Sequence, residues 1–213
     1  MIEIITATRD PVGREISAFF QNLTAVGHPY GVGNREEVLE MGVDGLIEAF
    51  HERWHREVPD TTVWFDRQFK PHVGVDVYQH PFDPEKGWTL IEENGRRILI
   101  VRFEDIRRNY LDAVNAFVEP RFGTPARFSS LLARNVSEQK WYADLMRGFK
   151  EKIRFSKDLL DDQYGGRYCT HFYSTGEISD MRGRWKTNDE ERGCERFCFL
   201  RNRKTRVWRR AAG

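Results

Sequence analysis

Residues 2–23 read IEIITATRDPVGREISAFFQNL and predict a short apolar strand followed directly by a helix. Asp10 is of a residue type that caps helices, and Pro11 suits the first helical position. The apolar residues that follow recur at the spacing of one helix face, namely Val12, Ile16, Phe19, Phe20 and Leu23. A strand that leads into a helix is the repeating unit of α/β proteins, so this stretch predicts that fold class.

The turn between this strand and this helix is a candidate anion site. A helix N-terminus directs backbone N–H groups and the positive end of the helix dipole toward one point. Arg9 lies in the turn, and its guanidinium can bind a phosphate through two charge-assisted hydrogen bonds. Ser17 can lean back toward the same point, because helical side chains tilt toward the N-terminus, and Arg14 is a second candidate cation. The alternative is that Arg9 is a surface charge and Ser17 an ordinary helix residue.

Two further strand signals follow. The alternation of Val73, Val75 and Val77 predicts a strand. Residues 88–91 and 98–103 flank Asn94-Gly95, which predicts a β-hairpin. Residues 98–101, ILIV, are continuously apolar, as in a strand that is buried on both faces.

Four further helices are predicted from capping residues and apolar spacing. Asn34 and Glu37 form the pattern of a capping box, and the helix that they open runs to about Trp54 and is stopped by Pro59. The other three are expected at residues 106–118 after Asp105, from Ser137 to Lys152, and from Thr175 to about Trp185.

Composition indicates a globular domain with a basic C-terminal tail. The chain has 213 residues, of which 39% are hydrophobic and 31% charged, and its net charge of +1 gives no general case for binding nucleic acid. Residues 182–210 contain eleven Lys or Arg and four Asp or Glu. We therefore divide the chain into a domain of residues 1–185 and a tail of residues 186–213.

The cellular location is predicted from what the sequence lacks. No stretch is long and apolar enough to span a bilayer, and Met1 leads into a strand pattern instead of a secretory signal. Three cysteines, Cys169, Cys194 and Cys198, leave one unpaired thiol, which favours a reducing compartment. These features predict a cytoplasmic protein without a membrane span. The oligomeric state is not predicted.

Several segments resemble known families. Residues 8–20 resemble the 3′-phosphate-binding motif of sulfotransferases, and residues 98–106, ILIVRFEDI, resemble a later core strand and turn of the same P-loop superfamily. Four segments in a fixed order resemble the family called "putative capsular polysaccharide synthesis", which is regarded as sulfotransferase-like: GVDVY at 74–78, HPF at 80–82, KWY at 140–142 and HFYS at 171–174.

The resemblance implies a fold, a reaction and a donor. It implies a helix-rich, three-layer α/β fold with a mainly parallel sheet of the P-loop sulfotransferase type. It also implies transfer of a sulfuryl group from 3′-phosphoadenosine 5′-phosphosulfate to a carbohydrate, with Arg9 and Ser17 holding the 3′-phosphate and no metal. The Gly-rich loop that precedes this motif in the superfamily does not precede it here, so we expect an N-terminally truncated domain with weak or no transferase activity.

Other segments receive roles that depend on the predicted fold. Two residues on or beside the predicted strand at residues 73–77, Asp76 and His72, are candidates for the base that removes the acceptor proton. The alternative for Asp76 is a hydrogen-bond acceptor at the end of a strand, and the alternative for His72 is an ordinary loop residue. Residues 140–142 are expected to lie on a helix and to pack against the core. Residues 171–174 pack or help to cover the donor.

Two rival functions stay open. His51-Glu52-Arg53-Trp54-His55 matches the H-E-x-x-H pattern of zinc peptidases, in which two histidines one helical turn apart bind the metal. The alternative is a set of solvated residues on an amphipathic helix. The basic tail, with aromatic residues among its arginines, could bind an acidic polysaccharide or nucleic acid as a non-catalytic module, although a solvated tail is expected.

Overall fold

The computed structural model describes residues 1–54, 61–122, 128–130 and 139–187. The strands in these ranges are β1 (Ile2–Thr8), β2 (Trp88–Glu93) and β3 (Arg96–Arg102), and they form one sheet in the order β1-β3-β2. β1 is parallel to β3, and β2 is antiparallel to it. The described sheet is therefore mixed, and the prediction of a mainly parallel sheet is wrong. Strands joined by a two-residue turn must be antiparallel, and the confirmed Asn94-Gly95 turn joins β2 to β3.

The central strand β3 ends at the same edge of the sheet as β1. Its pairing with β1 runs in register from Ile2 opposite Arg96 to Thr8 opposite Arg102, so both strands end at the same edge. Residues 98–101 of β3 are buried throughout, which confirms the prediction of a strand covered on both faces. The segments that follow the two strands therefore lie side by side.

The strand predicted at residues 73–77 is wrong. Helix α3 (Lys70–Val73) ends at Gly74, whose φ of 73° lies in the left-handed region that glycine adopts without strain. Asp76 then caps a 3₁₀ turn, Val77–Gln79, by accepting a hydrogen bond from the Tyr78 N–H. Val75 and Val77 are both buried, so two successive turns produce the alternating apolar pattern that a strand would have produced.

Helices surround this sheet. The remaining α-helices in the described ranges are α1 (Pro11–Gln21), α2 (Arg35–Arg53), α4 (Ile106–Phe122), α5 (Ala143–Lys152), α6 (Lys157–Tyr164), α7 (Arg167–Phe172) and α8 (Thr175–Trp185). A 3₁₀ turn (Thr61–Val63) and a single π-helical turn (Phe65–Phe69) lie between α2 and α3. None of these helices is long and apolar enough to cross a lipid bilayer.

The helix ends test the predicted caps. Asn34 and Glu37 form the predicted capping box at the start of α2. The cap of α8 is Ser174 instead of Thr175, since the Ser174 hydroxyl accepts the Glu177 N–H. Residues 140–142 precede α5 and do not lie on a helix, so that part of the prediction is wrong. Their predicted packing is confirmed, since Tyr142 belongs to the main core and Trp141 packs against it. Pro59, Ser137 and residues 188–213 of the predicted tail lie outside the described residues.

The two faces of the sheet are covered by different helices. On one face, a small cluster joins the sheet to α4 through Leu99, Val101, Ala113 and Phe117. On the other face, Ile98 and Ile100 join the main core, which the other helices supply. Phe50 lies within this core, with ring contacts to Phe19, Phe149 and Phe155 at centroid distances of 5.2, 5.5 and 6.3 Å. The fold is thus α/β and helix-rich.

Candidate anion-binding site

The turn between β1 and α1 lies beside the turn that follows β3. Asp10 caps α1 as predicted, because its Oδ1 accepts the Val12 N–H at 3.1 Å. The Asp10 N–H in turn donates to Oε1 of Glu104, which follows β3, at 2.8 Å. The carboxyl ends of parallel strands are the usual place for ligands in α/β proteins. A ligand-binding site is therefore expected at this edge of the sheet.

The start of α1 itself has few N–H groups left for a ligand. Pro11 has none, the Val12 N–H is bound to Asp10, and the Arg14 N–H donates to the Asp10 carbonyl at 2.8 Å. The Asp10 carboxylate also places a negative charge at this helix end. An anion in this region must therefore be held mainly by side chains.

Three tyrosines approach this turn and the turn that follows β3: Tyr164 at the end of α6, Tyr168 on α7 and Tyr173 just after α7. The Tyr168 hydroxyl accepts the Arg9 N–H and donates to the Arg9 carbonyl, both at 3.0 Å. The other two hydroxyls hold carboxylates: Tyr164 donates to Asp10 at 2.6 Å and Tyr173 to Glu104 at 3.2 Å. Burial raises the pKa of all three hydroxyls, so they remain protonated donors.

Arg9 is the cation of the site. Its guanidinium lies over the Phe103 ring, 4.4 Å from the centroid, and within the described residues no carboxylate approaches it to ion-pair distance. Burial lowers the pKa of Arg9, and Glu104 and Asp10 act in the opposite direction. An arginine remains charged in this situation. Arg9 is thus a partly desolvated cation that can gain a counter-ion.

A cleft of about 210 Å³ opens beside the carboxyl end of β1. Its lining residues, none of them acidic, are Thr6, Ala7, Arg9, Arg14, Thr61, Trp64, Phe65 and Tyr168. Trp64 is 37% exposed, so part of its side chain is accessible to solvent. Arginine, hydroxyl and aromatic groups together suit an anionic group that is attached to a ring.

Arg14 contributes less charge to the cleft than Arg9. Its guanidinium pairs with Glu15, a carboxylate that is only 4% exposed. Glu15 also accepts the hydroxyls of Tyr30 at 2.5 Å and Thr61 at 3.1 Å. The buried carboxylate therefore partly neutralises Arg14 while it ties α1 to the wall of the cleft.

The structure brings Arg9 and Arg14 together at the cleft but does not bring Ser17 to it. Ser17 is 8% exposed and is not among the lining residues. Its assignment as a phosphate ligand stays a prediction.

The two candidate bases lie in the α3 region, and neither lines the cleft. The Asp76 carboxylate accepts a hydrogen bond from Lys70 Nζ at 2.7 Å, and this bond lowers the pKa of Asp76. The exposed His72 has Nδ1 2.7 Å from the Gln68 carbonyl oxygen. A carboxylate with a lowered pKa is a weak base, so Asp76 is poorly suited to the role.

The rival sites fall largely outside the described residues. His51 lies near the end of α2, with its ring 5.5 Å from that of Phe155, whereas His55 is outside the described ranges. Within those ranges, no group of three or more histidine, cysteine or acidic residues could hold a metal ion. The basic segment at residues 201–210 and Cys194 and Cys198 are likewise outside.

Sequence reasoning missed most of the residues around Arg9. Glu104 and Tyr173 lie inside segments that carried the family resemblance, so their positions had been marked but their roles had not. Tyr168 and Trp64 carry no local signal. Tyr168 is 159 positions from its partner Arg9, and only the folded chain brings them together.

The fold and the cleft define a helix-rich α/β protein with a candidate anion-binding site at the carboxyl end of its parallel strand pair. The model of the family described as "Putative capsular polysaccharide synthesis protein" matches residues 38–174, more than half of the chain. The chain belongs to this family, as the four resembling segments predicted. The matched residues include Glu104 and Tyr168, while Arg9 precedes them. Searches of curated proteins and of solved structures gave no match.

Proposed function

We propose that the protein is a sulfotransferase-like member of this family that acts in the synthesis of a capsular or surface polysaccharide. It transfers a sulfuryl group from 3′-phosphoadenosine 5′-phosphosulfate to a carbohydrate hydroxyl, and Arg9 binds the 3′-phosphate of the donor. The observation that carries the proposal is Arg9, a residue that lines a cleft without acidic residues and whose guanidinium has no ion pair with any described carboxylate. The family description supplies the polysaccharide context.

The size of the cleft limits what it holds. Pockets that enclose a whole small-molecule ligand usually have volumes of about 300–1,000 Å³, and this cleft has about 210 Å³. It therefore fits a phosphate and the ring attached to it better than the complete donor. Only the 3′-phosphate end of the nucleotide would lie in the cleft, where Trp64 is available to contact the ring that carries this phosphate.

The role given to Arg9 is binding and not proton transfer. In sulfuryl transfer, as in phosphoryl transfer, the acceptor oxygen attacks in line while the donor phosphate leaves, and the protein mainly positions the reactants. A guanidinium on the 3′-phosphate fixes the donor at a point away from the reacting sulfur. Removal of Arg9 should therefore weaken donor binding more than any later step.

Calorimetry with 3′,5′-adenosine bisphosphate tests the proposal without requiring turnover. We expect Arg9→Gln to lower the affinity about 10- to 100-fold, because hydrogen bonds to a charged group contribute roughly 1.5–3 kcal/mol. Adenosine 5′-monophosphate lacks the 3′-phosphate and should bind wild type and Arg9→Gln alike. Arg147→Gln is the matched control, since Arg147 on α5 is 68% exposed and pairs with Asp144. Equal affinities of wild type and Arg9→Gln for the bisphosphate would remove Arg9 from the site and end the proposal.

A further inference from the structure

We propose that Tyr168 is a positioning residue that fixes the Arg9 main chain so that the guanidinium is held at the cleft, an inference that rests on the role proposed for Arg9 above. One hydroxyl serves both polar groups of the Arg9 backbone, accepting from its N–H and donating to its carbonyl at 3.0 Å each. The Tyr168 side chain is held in place, since the residue is 2% exposed.

Arg9 depends on this hydroxyl because it belongs to neither neighbouring element. β1 ends at Thr8, and α1 begins at Pro11 after its cap Asp10. In the part of the chain that the structure describes, the Arg9 N–H and carbonyl have no hydrogen-bond partner other than Tyr168. Arg9 is half-buried, and a backbone group that is partly removed from water is costly to leave without a partner, so the turn is biased toward the conformation that meets this hydroxyl.

The ring of Tyr168 provides a rigid base for the hydroxyl. It packs against Phe65 and Phe172 at centroid distances of 6.3 and 5.3 Å. Phe65 also lines the cleft, so the rings that support the Tyr168 hydroxyl include one that forms the cleft wall. The hydroxyl donates its one proton to the Arg9 carbonyl and has no other proton to donate to an anion, so its effect on a ligand is exerted through Arg9.

Tyr168→Phe isolates the contribution of the hydroxyl. The phenylalanine ring can keep the packing, while the Arg9 backbone loses both bonds and the turn gains freedom. We expect the affinity for 3′,5′-adenosine bisphosphate to fall about tenfold, which corresponds to roughly 1.4 kcal/mol. In an Arg9→Gln background the same substitution should have no further effect, because the residue through which it acts is gone.

Tyr164→Phe is the matched control. Tyr164 is equally buried, and its hydroxyl donates to the carboxylate of Asp10, the residue next to Arg9. This variant loses a buried hydrogen bond at the same turn and should lose stability, but its affinity for the ligand should match that of wild type. A purely structural role of Tyr168 would make the two variants behave alike.

Nuclear magnetic resonance of the ligand-free protein separates this inference from the proposed function. The Arg9 amide should be protected from hydrogen exchange in wild type, and Tyr168→Phe should shift or broaden the Arg9 Nε–Hε signal while Tyr164→Phe leaves it in place. Rapid exchange of the wild-type amide, or an unchanged Nε–Hε signal in Tyr168→Phe, would overturn the inference. Failure of wild type to bind the bisphosphate would end the proposed function, and these spectra would still decide the role of Tyr168.

Discussion

Replacing Tyr30 with phenylalanine tests the buried carboxylate that joins α1 to the wall of the cleft. Tyr30 is fully buried, and its hydroxyl donates to Oε2 of Glu15 at 2.5 Å. Burial, with the adjacent Glu15 charge, raises the pKa of Tyr30, so the hydroxyl is a donor at every pH used for the experiment. The substitution removes this one donor and keeps the ring.

The expected loss follows from the contacts that remain. The phenylalanine ring can keep its edge contact with Phe19, at a centroid distance of 5.7 Å, so little packing energy is lost. A hydrogen bond to a charged group contributes roughly 1.5–3 kcal/mol to the free energy of unfolding. Glu15 keeps Arg14 and Thr61 as partners, which places the expected cost of Tyr30→Phe at about 2 kcal/mol.

Urea unfolding followed by circular dichroism measures this cost. The midpoint should fall while the slope stays constant, because the surface exposed on unfolding does not change. Thr61→Val is the matched comparison, because it removes a longer hydrogen bond to Glu15, at 3.1 Å. Thr61 is half-buried, so water can replace the lost hydrogen bond, and the substitution should cost less than about 1 kcal/mol. Surface substitutions usually change the free energy of unfolding by no more than about 0.5 kcal/mol. If the value for Tyr30→Phe lies within this range of wild type, the buried hydrogen bond does not stabilise this protein.

Two further predictions concern other parts of the fold. Burial and the nearby Arg167 lower the pKa of His171 in the folded protein, so the unfolded chain binds a proton more readily. Stability should therefore fall as the pH drops below about 6.5, the ordinary pKa of histidine. His171→Gln should lessen that fall when unfolding is measured from pH 7 to pH 5. A variant with the same pH dependence as wild type would contradict the assignment. Gly87→Ala should destabilise the protein more than Gly95→Ala in the same urea assay. Both glycines have a positive φ, at 72° and 70°, so the backbone strain is similar. A Cβ at Gly87 would lie 2.5 Å from Asp105 Oδ2, whereas a Cβ at Gly95 would meet nothing within 4 Å. Equal losses would show that the Asp105 side chain yields to the methyl group.

Local chemistry explains the parts of the fold that the sequence predicted well. A capping aspartate, a proline at the first helical position and an apolar face place α1 without reference to the rest of the chain. The Asn94-Gly95 turn and the capping box of Asn34 and Glu37 are equally local, because each involves residues at most three positions apart. The strand at residues 73–77 failed because alternating burial arises from two consecutive turns as well as from a strand, and only Gly74 in its left-handed conformation separates the two.

The candidate site divides in the same way. The sequence alone determined that a cation would stand where a strand passes into a helix, since Arg9 adjoins both elements in the chain. The tertiary structure decided what surrounds that cation: Tyr168 lies 159 positions away, and Trp64 reaches the cleft on a turn that the sequence did not predict. It also decided that Arg14 and not Ser17 shares the cleft. The spacing of residues along the chain determines local conformation. The burial and the partners of a charge depend instead on packing between segments that are far apart in the chain, and a short sequence pattern does not show which segments will meet.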